Sequence, residues 1–188
     1  MSEIEGQVID EPLSADQQAR RRLAIAQIRQ YPDAALRLKA KPVEKFDDDL
    51  RRLVERMTTL MHEAHGVGLA ATQVGTLKRL FVFQPDPEED ALVVINPEIT
   101  VRGDETDVDD EGCLSLQGVT VPVERVVKLT LSARDPDGKE IRHELEGHAA
   151  RIAQHELDHL DGVLIIDRTT PEARREALAT LRPRIILT

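Results

Sequence analysis

In His155-Glu156-Leu157-Asp158-His159, two imidazoles stand four residues apart. On an α-helix both rings leave from one face and can share a divalent cation, with the intervening glutamate within reach of a water beside it. That is an outline for hydrolysis. Such a site needs a third protein ligand. The extended motif that ends in a third histidine is excluded, because Gly162 fits it but Ile165 occupies the final position. Two donors remain open: a carboxylate at Glu172 or Glu176, on a helix expected to begin near Pro171, or Cys113, the only cysteine, within Glu111-Gly112-Cys113-Leu114-Ser115. The plain alternatives are a solvated, charged helix face and a cysteine buried as a small apolar residue.

A third stretch bears on the choice. Gly66-Val67-Gly68-Leu69-Ala70-Ala71-Thr72-Gln73 pairs two glycines, which let a substrate backbone approach closely, with small side chains that keep a cleft wall thin. Taken in order, G-x-G-L-A-A-x-Q, E-G-C-L-S and Q-H-E-x-D-H resemble the three signatures of the peptide deformylase family, and the element order from about 23 to 181 is similar too. Those metalloenzymes remove the formyl group from the N-terminal methionine of new bacterial proteins. The resemblance implies that Cys113, His155 and His159 hold the metal, natively ferrous iron, with zinc, nickel or cobalt able to substitute. Glu156 would act as base and then acid. The Gln73 amide and the Leu114 N–H would stabilise the developing oxyanion. An extended N-formylmethionyl peptide would pair as an added strand with backbone at Val67 and near Gly112, past Gly66 and Gly68. Val67, Ile152 and the faces of His155 and His148 are candidates for the methionine slot. Glu111 and Arg125 would brace the cysteine loop. Implied partners are nascent chains and, transiently, the ribosome exit region.

The pattern departs from the family at three points: Thr120 stands where an arginine is frequent, Gln117 replaces a common proline, and His148 replaces a larger apolar residue. Arg151, one turn before His155, reads equally as a positioning residue or a surface charge. The rivals are an amidase acting on another N-acyl compound, a non-catalytic relative that binds nascent chains or ribosomes, and a generic zinc peptidase using Glu172 or Glu176.

The elements that must position these residues can be read from periodicity. Residues 148–161, between Gly147 and Gly162, form a segment free of Gly and Pro that predicts the metal helix. Asp47, Asp48 and Asp49 suit a helix start, and Leu50, Leu53, Val54, Met57, Leu60 and Met61 recur as one apolar face, with His62 and His65 near its end. Strands are expected at 23–28, 79–84, 91–95, 97–101, 119–123, 126–133 and 139–146, with 103–110 an acidic loop, a helix at 171–181 and a last short strand at 184–188. Strands precede the metal helix and do not alternate with helices. The expected class is therefore α+β, with mixed or antiparallel sheets packed around a central metal-binding helix in a single domain. Residues 1–22 read as a flexible acidic and polar N-terminal extension, helical near 17–22, and 23–188 as the catalytic domain.

Composition narrows the class. A chain of 188 residues with 40% hydrophobic and only 2% aromatic content builds a core from Leu, Val, Ile and Ala. A net charge of −10 without a long basic block argues against DNA as partner. No apolar run approaches the roughly 18 residues of a membrane span, and the N-terminus lacks the apolar core of a secretory signal. The expected compartment is the cytoplasm.

Overall fold

The computed structural model describes residues 13–181. Helix α1 (Ala15–Ile25) opens with a reciprocal capping box between Ser14 and Gln17. It overturns the expected strand at 23–28 and crosses the expected boundary at 22/23. The physical reason is tertiary: Ala24 is fully buried in the same core cluster as helix α2 (Asp48–Glu63), and Arg21 Nε donates to Ala64 O at 3.2 Å. Asp47 caps α2 by accepting the Leu50 N–H at 3.0 Å, and Leu50, Val54, Met57, Leu60 and Met61 are buried on one face. Each fully buried side chain of this size contributes about 1.5–3 kcal/mol before entropy is charged against it.

Five antiparallel strands form the main sheet in the order β1-β2-β3-β6-β7, built from β1 (Gly68–Ala70), β2 (Leu80–Phe83), β3 (Leu92–Arg102), β6 (Lys128–Arg134) and β7 (Glu140–Glu146). The two expected strands at 91–95 and 97–101 are one, because Pro97 sits at a register shift against β6, where no ladder N–H is required of it. Asn96, at φ 52, secures that bulge by bonding both the N–H and the C=O of Val43. A separate ribbon pairs β4 (Thr106–Gly112) with β5 (Thr120–Val126). The expected acidic loop at 103–110 is thus mostly strand. Its charged side chains project to solvent while cross-strand pairing supplies the order that its composition does not suggest.

Helix α3 (His148–Leu160) lies between the layers, with Ala150 to Leu160 buried, and it ends where Gly162 takes φ +74. A Cβ at Gly162 would come within 2.5 Å of the Arg37 carbonyl oxygen, so both conformation and space require glycine there. Helix α4 (Pro171–Leu181) closes the described chain, and the strand expected at 184–188 lies outside the described residues. Three apolar clusters meet beside α3. Leu114 belongs to the one around α2, Ile152 and Leu157 to the one under the main sheet, and Cys113 to the one beneath the β4–β5 ribbon.

Candidate metal centre and active site

Two segments distant in sequence bring a sulfur and two ring nitrogens together. Cys113, in the turn after β4, and His155 and His159, on one face of α3, offer donor atoms that all lie within 4.8 Å of one another. Cys113 Sγ is 3.2 Å from His159 Nε2, and the two rings meet edge to face with centroids 4.9 Å apart. Ligand atoms around a tetrahedral ion stand roughly 3.5 Å from each other, so a thiolate and two imidazoles so arranged fit a divalent transition metal. Glu172 and Glu176 are exposed on α4 and take no part in the cluster.

His155 turns its other nitrogen, Nδ1, to Glu111 Oε2 at 3.0 Å, leaving Nε2 for the ion. Glu111 has no exposed side-chain surface, and Arg125 grips it with two bonds of 2.8 and 2.9 Å. Arg151, also buried, adds Nη1 to Glu111 Oε1 at 3.2 Å and donates to the Val123 and Asp107 carbonyls. It is a bracing residue and no surface charge. Arg125 further bonds Asp158 at 2.6 Å, and Asp158 is held by Arg168. Asp158 stands inside the histidine motif, a signal the sequence reading passed over, whereas nothing in the sequence marks Arg168. Burial works to raise the Glu111 carboxyl, but hydrogen bonds from Arg125 and His155 outweigh it and hold the group well below the usual carboxylate range.

Glu156 lies on α3 directly after His155 and is buried. Burial pushes its carboxyl up to about 7, against the pull of His155, Arg125 and the Ala70 N–H. Its Oε2 has no hydrogen-bond partner, nor does His159 Nδ1, and buried atoms of this kind await a ligand or water. Gly68 explains how the carboxylate fits: a Cβ there would lie 2.4 Å from Glu156 Oε1. At Gly66 the corresponding space is taken by the Leu114 side chain. The glycine pair thus makes room for the protein's own groups, a reason the sequence did not reveal. Gln73, on a 3-10 turn after β1, is 1% exposed; its Oε1 accepts from Ala70 N–H at 2.8 Å, and its Nε2 faces Ser115 Oγ at 3.1 Å and Cys113 Sγ at 3.8 Å. Leu114 directly follows the cysteine.

Val67 immediately precedes β1 and Gly112 ends β4 next to Cys113, and β1 is an edge strand of the main sheet. Val67 packs partly buried against the cluster that includes Ile152, and half-buried His148 begins α3. Thr120, exposed, pairs with Gly112 at the first position of β5. A cavity of about 450 Å³ opens elsewhere, along Gln154, Asp158, Arg125 and Arg168 behind the charged network. It contains none of the three donors, so the chemistry belongs to the donor cluster.

An antiparallel α+β domain that brings a cysteine sulfur and two imidazoles together, on a helix that also carries a buried glutamate, is the build of a metal-dependent hydrolase. A sequence profile of the family described as polypeptide deformylase matches residues 25–175. Peptide deformylase of Thermotoga sp. (strain RQ2) is 48% identical over 147 residues, covering 78% of this chain and 88% of its own. That of Caldicellulosiruptor bescii is 46% identical over 163 residues, covering 86% and 96%. Crystal structures agree: the Thermotoga maritima enzyme superposes with TM-score 0.74 at 47% identity over 77% of this chain and 97% of that one, and the Legionella pneumophila enzyme with 0.77 at 40% over 82% and 91%. The chain belongs to the polypeptide deformylase family, whose members hydrolyse the formyl group from the methionine that begins a nascent polypeptide.

Proposed function

We propose that Cys113, His155 and His159 hold ferrous iron, with zinc, nickel or cobalt able to replace it, and that Glu156 carries the proton traffic of deformylation. The carrying observation is the convergence of one sulfur and two ring nitrogens within 4.8 Å beside a glutamate whose Oε2 lacks a partner. A divalent ion so bound supplies Lewis acidity, acidifying a water and polarising the formyl carbonyl. Glu156 Oε2 takes the proton as the water oxygen attacks the formyl carbon. The carbon–nitrogen bond then breaks, Glu156 returns the proton to the departing amine, and formate leaves with a free N-terminal methionine.

Negative charge collects on the former carbonyl oxygen during attack. The Gln73 side-chain amide and the Leu114 N–H are the donors assigned to it, and the bonds that fix Gln73 to Ala70 and Ser115 mean that little reorganisation is needed. The peptide adds as a strand along the open edge of β1 at Val67, with Gly112 opposite and Gly66 and Gly68 beside it, so recognition depends mainly on backbone. The methionine side chain enters between Val67, Ile152 and the ring faces of His148 and His155. Glu111 and Arg125 orient His155 from behind. The reaction belongs in the cytoplasm on N-formylmethionyl chains leaving the ribosome, near its exit region.

Turnover of formyl-Met-Ala against acetyl-Met-Ala tests the substrate assignment. The formyl peptide should be strongly preferred; preference for the acetyl peptide would replace this reading with an amidase of different substrate range.

A further inference from the structure

The peptide unit joining Leu114 to Ser115 is held on both sides. Its N–H, on Ser115, points at Cys113 Sγ at 3.4 Å, and its carbonyl oxygen, on Leu114, accepts from two side-chain amides, Gln30 Nε2 at 2.9 Å and Gln117 Nε2 at 2.8 Å. A trans peptide holds N–H and C=O in one rigid plane, pointing in opposite directions, so a grip on the oxygen aims the N–H. The two glutamines come from unconnected parts of the chain. Gln30 lies in the segment after α1 and is anchored by its neighbours: Arg29 N–H donates to Gln73 O at 2.7 Å and Tyr31 N–H to Ser115 O at 2.9 Å. Gln117 lies in the turn before β5 and is the residue that departs from the common proline. Nothing in the proposed reaction uses either side chain.

We propose that Gln30 and Gln117 are positioning residues which, through the Leu114–Ser115 peptide, aim an N–H at the Cys113 sulfur and so set the electron density that this ligand offers a metal. Hydrogen bonds to a ligating sulfur withdraw charge from it, and partners of this kind tune affinity and reactivity. The inference rests on Cys113 being a ligand. Because two donors share one carbonyl, either alone keeps it satisfied, and the effect should emerge when both are lost.

The test uses the full chain loaded with Co(II), read by the sulfur-to-cobalt charge-transfer band, the cobalt dissociation constant, and kcat and KM on formyl-Met-Ala. Gln30→Ala and Gln117→Ala singly should stay near wild type. The double variant should shift the band to lower energy and lose about tenfold in kcat or cobalt affinity with KM little changed. Should the double variant fail to fold, Gln30→Glu combined with Gln117→Glu preserves both shapes while removing both donors, and it should give the same shift. A wild-type band and kcat in either protein overturn the inference. Cobalt bound to wild type without any sulfur band removes Cys113 from the ligand set and overturns the metal reading as well.

Discussion

At the scale of single residues, the centre depends on a carboxylate that never meets substrate. Glu111 compensates two buried guanidiniums and orients His155, and its removal leaves Arg125 with Asp158 as its carboxylate partner and Arg151 with backbone carbonyls and the more distant Asp107. Glu111→Gln keeps the shape and deletes the charge. It should cost roughly 3–5 kcal/mol in denaturant unfolding, the range for breaking a buried pair, and weaken metal binding by about 10–100-fold through the loosened ring of His155. Unfolding at wild-type denaturant concentration would show that the remaining partners suffice for the arginines. The convergence of His155 and His159 was legible because their spacing is a helical period. The roles of Asp158 and Arg168 were not, because an ion pair closed by folding leaves no period to read.

Among the elements, strand β1 and helix α3 are fitted to each other through the space Gly68 leaves. A methyl group in that space meets the Glu156 side chain first, so Gly68→Ala should fold and bind metal while displacing the proposed proton carrier. Formate release should fall by about a hundredfold, the usual effect of moving a reacting group by an ångström. Retention of full activity would show that Glu156 has another resting place. The helices α2, α3 and α4 could be read in the sequence because each carries its own cap or stop, Asp47, Gly162 and Pro171 among them. Three elements could not. The apolar run at 23–28 joins a helix because α2 offers it a core. The acidic residues before Cys113 become strand because β5 supplies their hydrogen bonds. Pro97 interrupts nothing because it falls on a bulge. In each case the deciding partner is remote in sequence, where propensity has no information.

For the whole molecule, metal binding and stability should be coupled. The donor cluster joins the β4–β5 ribbon to α3, so an ion that binds only the folded chain adds RT ln(1 + [L]/Kd), about 4 kcal/mol at a thousand times Kd. Chelation should lower the melting temperature by several degrees and added Co(II) or Zn(II) should restore it. An unmoved transition would mean that no ion bridges these layers. Protons compete for the same donors. Without metal, burial opposes a charge on His155, but Cys113 and Glu111 beside it hold the ring well above its ordinary value, whereas burial and the His155 charge keep His159 neutral. A raised folded pKa stabilises the metal-free chain fully below the ordinary histidine value, and that contribution disappears as pH rises through the folded value. Metal binding must displace the same proton, so affinity should strengthen with pH and proton release should accompany loading, measurable by titration in buffers of different ionisation enthalpy. At the same scale, no helix among the described residues is long and apolar enough to cross a membrane. The decisive measurement is formate release from formyl-Met-Ala by the Glu156→Ala protein with its metal content quantified. A full complement of metal and a loss of about 10²–10⁴-fold in kcat, the span of a general acid–base group, are expected, and undiminished formate release from that protein would contradict the role given to Glu156.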